Sequence, residues 1–379
     1  MLKRIKYYIA TSVWVFLFCV CCFNQSQAQL KAVKIWNKMF NDPDTTKTSK
    51  FIAYPTLAYS PETSWEFGVS TLFIYHANKD KNNRLSEIGN FSFVTLEGQY
   101  GILFDHALYT DKDKWFALGK LKFLNFPLVY YGIGPDVSGE ELAIANANII
   151  SIRERLLRKV YGNWYFGLEA NYEQLSGISF DWFPGVQPEE NIQGQNGYSN
   201  LGLGLGLVYD NRHNVLNVRH GLLSEIGYLM YQPAWGSTNR LNTLFLDNRM
   251  FFPLQKNNVL AGQFVGQFSQ GVVPFNQLSM IGGEMMMRGY YLGRYRDKNM
   301  IAAQVEHRWL PFPFSKRLGG AVFAGIGSVS PNLNFNKLLW TAGGGLRILI
   351  FPQRDVYTRL DVGLNPDGYG VYLFIGEAF

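Results

Sequence analysis

The sequence predicts an all-β fold, a transmembrane antiparallel up-and-down β-barrel of about sixteen strands. Three observations carry that expectation. Apolar and polar residues alternate with period two along most of the chain. The long connections fall on one side of the resulting meander. One apolar run, at the very start, is the only stretch long enough to suggest a membrane helix, and it has the marks of an export leader.

Of the 379 residues, 47% are hydrophobic and only 17% charged, with 38 Gly, 29 Phe and 22 Tyr. That aromatic load and a net charge of only +6 argue against disorder. In the leader, Lys3, Arg4 and Lys6 form a positive region and Tyr7–Phe23 an apolar one. Ser26-Gln27-Ala28 then supplies the small residues that a signal peptidase reads. Residues 1–28 are expected to be a signal peptide, with the exported chain starting near Gln29. Cys19, Cys21 and Cys22, the three cysteines of the sequence, all lie in this leader, so disulfides and thiolate metal sites are not expected beyond it. Loss of the leader cations brings the 35 Lys and Arg close to the 29 Asp and Glu, which removes the support for a nucleic-acid partner. Residues 29–50 form a short segment in which Trp36, Met39 and Phe40 suit an interfacial helix. The barrel is expected over 51–379 as a single domain.

The strands follow from the alternation. Trp65, Phe67, Val69, Thr71, Phe73 and Tyr75 lie on one face and Glu66, Gly68 and Ser70 on the other. Trp164, Phe166, Leu168, Ala170 and Tyr172 repeat this against Glu169, Asn171 and Glu173. Val356, Thr358, Leu360, Val362 and Leu364 face away from Tyr357, Arg359, Asp361 and Asn365. The expected spans are 51–60, 63–76, 84–97, 100–110, 114–125, 148–160, 163–177, 199–212, 220–232, 239–253, 257–271, 299–311, 317–330, 338–350, 355–365 and 368–379. Most reach the ~9–11 residues that a tilted strand needs to cross a bilayer. Connections 126–147, 178–198 and 272–298 all follow odd-numbered strands, whereas most even-numbered ones are short and polar. A soluble sandwich alternates too. The leader, the apolar outward faces and the one-sided loops favour the membrane.

Few segments suggest chemistry. In Leu201-Gly202-Leu203-Gly204-Leu205-Gly206-Leu207 the glycines merely alternate with leucines, and the strand–loop–helix setting of a nucleotide site is missing. This reads as a strand with Leu toward lipid. His76, His106, His213, His220 and His307 have no metal-ligand spacing, and no nucleophile with an oriented base stands out. No enzyme activity, cofactor or metal is expected.

Ile281-Gly282-Gly283-Glu284-Met285-Met286-Met287-Arg288-Gly289-Tyr290 resembles the BamA/TamA family, also called the bacterial surface antigen family. There, the loop between strands eleven and twelve carries an Arg-Gly-aromatic tip that folds back into the barrel, and the strand count puts Arg288-Gly289-Tyr290 in that loop. Tyr131-Gly132-Ile133-Gly134, Asp210-Asn211-Arg212 through Gly221, Gly343-Gly344-Gly345-Leu346-Arg347 and Ile375-Gly376-Glu377-Ala378-Phe379 are similar to other family segments. The resemblance covers roughly residues 50–379. It implies that Gly282, Gly283, Arg288, Gly289 and Tyr290 form a lumen-loop motif, with Glu306 and Phe323 as lumen partners. The family's acid two positions after a Phe on strand thirteen is absent from Phe323-Ala324-Gly325, which moves the burden to Glu306. The bland alternative is a solvated loop arginine. Glycines 202, 204 and 206 offer one place to make room for the loop.

The resemblance further implies a bacterial outer-membrane barrel that assists insertion or translocation of proteins. Outer-membrane lipids and client barrels or an assembly complex would be its partners, and the barrel itself would be monomeric. Relatives with that role carry periplasmic POTRA domains, for which residues 30–50 are too few, so a barrel-only member is expected. A passive channel or porin and a structural surface barrel remain as rival readings. The seam between the first and last strands is the expected working site. Pro55 lacks an N–H, and Gly370 and Gly376 withhold side-chain packing; a bulge at Pro55 is the bland alternative. Val371, Leu373, Ile375 and Phe379 share one face of the expected last strand and would form the assembly signal, with ordinary lipid-facing packing as the alternative.

Overall fold

The computed structural model describes residues 49–60, 63–125, 127–212, 217–352 and 355–379. The expected signal peptide and the segment that follows it, up to residue 48, lie outside the described residues, as does His213. Sixteen long strands form where the alternation is strongest. They are β1 (Ser49–Ser60), β2 (Ser64–His76), β3 (Leu85–Thr95), β4 (Tyr100–Tyr109), β5 (Trp115–Asn125), β6 (Ala143–Tyr161), β7 (Trp164–Trp182) and β8 (Tyr198–Asp210). The second half comprises β9 (Gly221–Tyr231), β10 (Leu241–Gln255), β11 (Asn258–Gly271), β12 (Asn299–Trp309), β13 (Leu318–Ser330), β14 (Leu339–Phe351), β15 (Val356–Asn365) and β16 (Gly368–Ile375). A short segment, Leu128–Tyr130, continues the pairing of β5 with β6.

Each strand bonds to its sequence neighbours, and β1 returns to β16, so the sheet closes on itself. Closure is the condition for a spanning sheet, and it is narrowest where β1 meets β16. Its outer face carries Phe67, Val69 and Phe73 on β2, Phe166 and Leu168 on β7, Leu203 and Leu205 on β8, and Leu360, Val362 and Leu364 on β15, all exposed. The inward positions between them are polar: Glu66, Glu169, Asn171, Arg359 and Asp361 are buried. Apolar outside and charged inside is the inverse of a soluble sandwich and the pattern of a transmembrane barrel.

Two strands run longer than the alternation suggests. β6 and β7 each have 19 residues, because Ala143, Ala145 and Ala147 pack with Leu175, Tyr130 and Phe275 beyond the spanning part. That burial favours continued pairing.

The last strand is shorter than expected. β16 stops at Ile375, since Gly376 adopts φ +93° and donates its N–H to Tyr357 O at 2.7 Å. Val371, Leu373 and Ile375 stay half-exposed, but Phe379 leaves their face. It turns inward and is buried with Phe251, Val259 and Ala261. An outward Phe379 is therefore corrected, and the left-handed glycine is the physical cause.

The glycine face of β8 is also filled otherwise than expected. A side chain at Gly202 would meet the Tyr231 ring, and one at Gly206 would meet Glu169 and Arg155. The loop docks elsewhere.

Candidate functional site

The loop between β11 and β12 has a stem and a tip. Ser279–Ile281 pairs with Tyr295–Asp297 to make the stem. At the tip, Gly282, Gly283 and Gly289 have φ of +115°, +94° and +112°, which side chains with a Cβ rarely adopt. Gly283 N–H closes the turn on Tyr290 O at 3.0 Å. Met287, Arg288 and Tyr290 are then almost wholly buried.

Arg288 reaches carboxylates on two strands. Its Nη1 donates to Asp361 Oδ2 on β15 at 2.6 Å, and its Nη2 pairs with Glu306 Oε2 on β12. The guanidinium lies over the ring of Phe323 of β13, with Cζ 3.6 Å from the ring centre. Thr341 of β14 donates its hydroxyl to Arg288 O, and Gly289 N–H bonds Tyr372 Oη of β16 at 3.0 Å. The tip thus touches each strand from β12 to β16. A buried arginine is tolerable only with such partners, because stripping one from a buried pair costs about 3–5 kcal/mol.

Glu306 and Phe323 both lie at Arg288, and the second acid is one that the sequence reading did not single out. Asp361 occupies the role left open by Gly325, whose missing side chain makes room for Met287 instead. The ion network extends further. Arg347 joins Asp361 Oδ1 at 2.5 Å, Glu306 Oε1 at 3.2 Å and Glu377 Oε2 at 2.9 Å. Arg308 joins Glu306 Oε1 at 2.8 Å and donates to the main-chain oxygen of Phe379 at 2.9 Å. Arg359 ties Asp361 Oδ2 to Glu284 O. Gly345 allows this crowding, since a Cβ there would strike Asp361. The inward alternation of Arg359 with Asp361 was visible in the sequence; the meeting of Asp361 with Arg288 was not.

The same loop is tied to the β5–β6 connection. Gly134 N–H donates to Arg296 O at 2.9 Å, and the buried Arg296 lies 5.4 Å from the Tyr130 ring centre. This gives the Tyr131–Gly134 segment a role in seating the stem.

The seam differs from the other junctions whose register is described. β1 and β2 pair along their length, from Ser49↔Tyr75 to Ser60↔Ser64, with Pro55 opposite Val69. β1 and β16 share one register pair among the described residues, Tyr59↔Leu373. Stepping down that register puts Leu57 opposite Ile375, where β16 ends, so Ser49 to Thr56 face no β16 residue. Pro55 lies in this stretch, where a missing N–H costs no bond to β16. Gly370 pairs with Gly363 of β15, and Gly376 bonds to β15 rather than β1.

A sixteen-stranded barrel with a glycine-rich loop folded onto its last five strands is a specific arrangement, and the sequence model that fits it is the Omp85 superfamily domain, matched over residues 132–354. The chain belongs to the Omp85 superfamily. Solved structures similar to this Omp85 chain include BamA from Haemophilus ducreyi lacking POTRA domains 1-3, at 15% identity and TM-score 0.55, covering 86% of this chain and 69% of that one. CdiB from Acinetobacter baumannii is similar at 14% identity and TM-score 0.57, covering 87% and 60%. CdiB from Escherichia coli is similar at 10% and 0.57, covering 87% and 63%. The chain thus spans less than two thirds of either CdiB chain. At these identities the likeness is one of fold. Comparison with curated proteins gave no match.

Proposed function

We propose that this Omp85 barrel sits in the bacterial outer membrane and assists insertion or translocation of other proteins there, without enzymatic chemistry. The seam between β1 and β16 is the working site, and client strands are the transient partners. The observation that carries the reading is that Tyr59↔Leu373 is the single register pair between β1 and β16 among the described residues. Exposed N–H and C=O groups on a strand edge are a template for an added strand. The loop supports the same reading from the other side. It holds β12 to β16 through Glu306, Phe323, Thr341, Asp361 and Tyr372, whereas β1 has no share in the Arg288 contacts. One flank of the seam is fixed and the other is free to part.

A passive channel is favoured by one observation, a polar chamber of about 630 Å³ lined by Lys120, Lys122, Arg153, Glu225 and Asp247. A disulfide between Tyr59→Cys and Leu373→Cys separates the two readings, because the sequence has no cysteine after Cys22. With the seam locked, other outer-membrane barrels should fail to assemble in depleted cells, and reductant should restore them. Full complementation by the locked protein, with ion conductance unchanged, would sink the seam reading and leave the channel.

A further inference from the structure

Behind the seam, inside the barrel wall, lies a second chamber of about 570 Å³. β1 contributes Tyr54, Thr56 and Ala58, β16 contributes Phe374, and the loop closes it with Met280, Glu284 and Leu292. Much of the wall is apolar, with Phe91, Phe93, Leu103 and Leu124 on β3 to β5. Its charged groups are unbalanced: Glu66, Glu173 and Glu284 face it against Lys122 alone.

Those acids are not equally committed. Glu173 Oε1 accepts from Tyr198 Oη and from Asn276 at 3.4 Å. Glu66, only 6% exposed, leaves Oε1 without any hydrogen-bond partner, and the hydroxyl of Thr56 on the neighbouring strand is likewise unpaired. A buried carboxylate lacking a donor is costly and rare in a finished structure. Both orphan groups lie on the inner face of the two strands next to the seam, where Ala58 opposes Glu66 and Thr56 opposes Gly68.

We propose that this chamber binds a cationic side chain on an apolar stem, a lysine or arginine of the polypeptide that pairs with the seam. The assignment rests on the strand-addition reading above. A strand added along β1 below Leu57 sends alternate side chains inward at the level of Tyr54 and Thr56, beside this chamber, with Glu66 opposite Ala58 two residues further up. An ammonium or guanidinium there gives Glu66 the donor it lacks, a charge-assisted bond, while the stem lies along Phe91, Phe93 and Leu124. Acidic side chains would meet three carboxylates and be rejected, so the chamber would select the inward face of the client strand by charge.

The test uses the purified barrel in phosphatidylcholine nanodiscs, with 4-(trifluoromethyl)benzylamine as probe and the corresponding benzyl alcohol as its neutral twin, both read by fluorine NMR against empty nanodiscs. The amine should bind in preference to the alcohol, and Glu66→Gln should weaken it by about tenfold, as expected for loss of a bond to a charged group. Glu284→Gln, on the loop rather than the wall, should weaken it less and serves if Glu66→Gln does not fold by heat-modifiability. Equal binding of amine and alcohol, or amine binding untouched in both variants, overturns the proposal. The readout needs no client, so its failure is distinct from failure of the seam reading.

Discussion

Gly363 on β15 lies directly beneath the backbone of Arg288. A Cβ at position 363 would collide with Arg288 O and crowd Gly289 N. The contact is backbone against backbone, so no side-chain rotation relieves it. The loop reaches Asp361 because β15 carries no side chain two residues further on.

Gly363→Val is therefore expected to lift the tip from the wall while leaving the barrel folded. Overpacking of this kind costs about 1–3 kcal/mol. Limited proteolysis should cut within 272–298 far faster in the variant, and the heat-modified gel shift should persist. Unchanged protection of the loop would show that the tip docks without this contact.

Arg288→Ala should free the loop in the same assay, and Arg288→Lys should not rescue it. The guanidinium spans Asp361 and Glu306 with separate nitrogens while stacking on Phe323; a lysine ammonium has neither the span nor the plane. Because the two acids share the load, Glu306→Gln alone should loosen the loop less than Arg288→Ala. A double-mutant cycle in urea unfolding should show coupling between positions 288 and 306 of roughly 0.5–3 kcal/mol. A value near zero would reassign the hold to Asp361 and Thr341.

The barrel was legible because strand alternation is a local property. The period-two runs show which residues face lipid, and the one-sided long loops distinguish the two ends of the meander. The ends were harder to read. Phe379 continues the parity of Val371, Leu373 and Ile375 on paper, but one left-handed glycine at 376 removes it from the strand. Asp361 could be seen to point inward, yet nothing in the spacing says that residues 288, 306 and 361 meet. That depends on barrel closure and on where glycines 325, 345 and 363 thin the wall. The seam expectation rests on Pro55, Gly370 and Gly376; of these, the left-handed Gly376 is where β16 ends, at Ile375, which leaves it shorter than β1.

Phe379 has two separable roles to test. Its ring packs on Phe251 at 6.3 Å between centres and lies 4.9 Å from the Arg308 guanidinium. Phe379→Ala should destabilise the refolded barrel by about 3 kcal/mol in urea, in line with truncation of a buried aromatic. If the residue also signals assembly, the variant should accumulate poorly in membranes even when refolding in detergent micelles is as fast as wild type. Normal membrane levels with reduced stability would leave packing as its whole contribution.

Hydrogen exchange should report the seam without any mutation. Along an antiparallel strand, successive N–H groups point alternately to the two neighbours. In β1 from Ser49 to Thr56, those directed at β2 are bonded, because that register is continuous. Those directed the other way meet no β16 residue, and Pro55 has no N–H to offer. Apart from Lys50 and Tyr54, which have other interactions, the amides of this stretch directed away from β2 should therefore exchange orders of magnitude faster than their neighbours, while β14 and β15, pinned by Thr341 and Asp361, stay protected. The Tyr59→Cys/Leu373→Cys lock should slow exchange near Leu57 and leave exchange nearer Ser49 unchanged, because a disulfide at the upper end cannot lengthen β16. Uniform protection across β1 would mean that its lower edge is covered, and the template for an added strand would be lost.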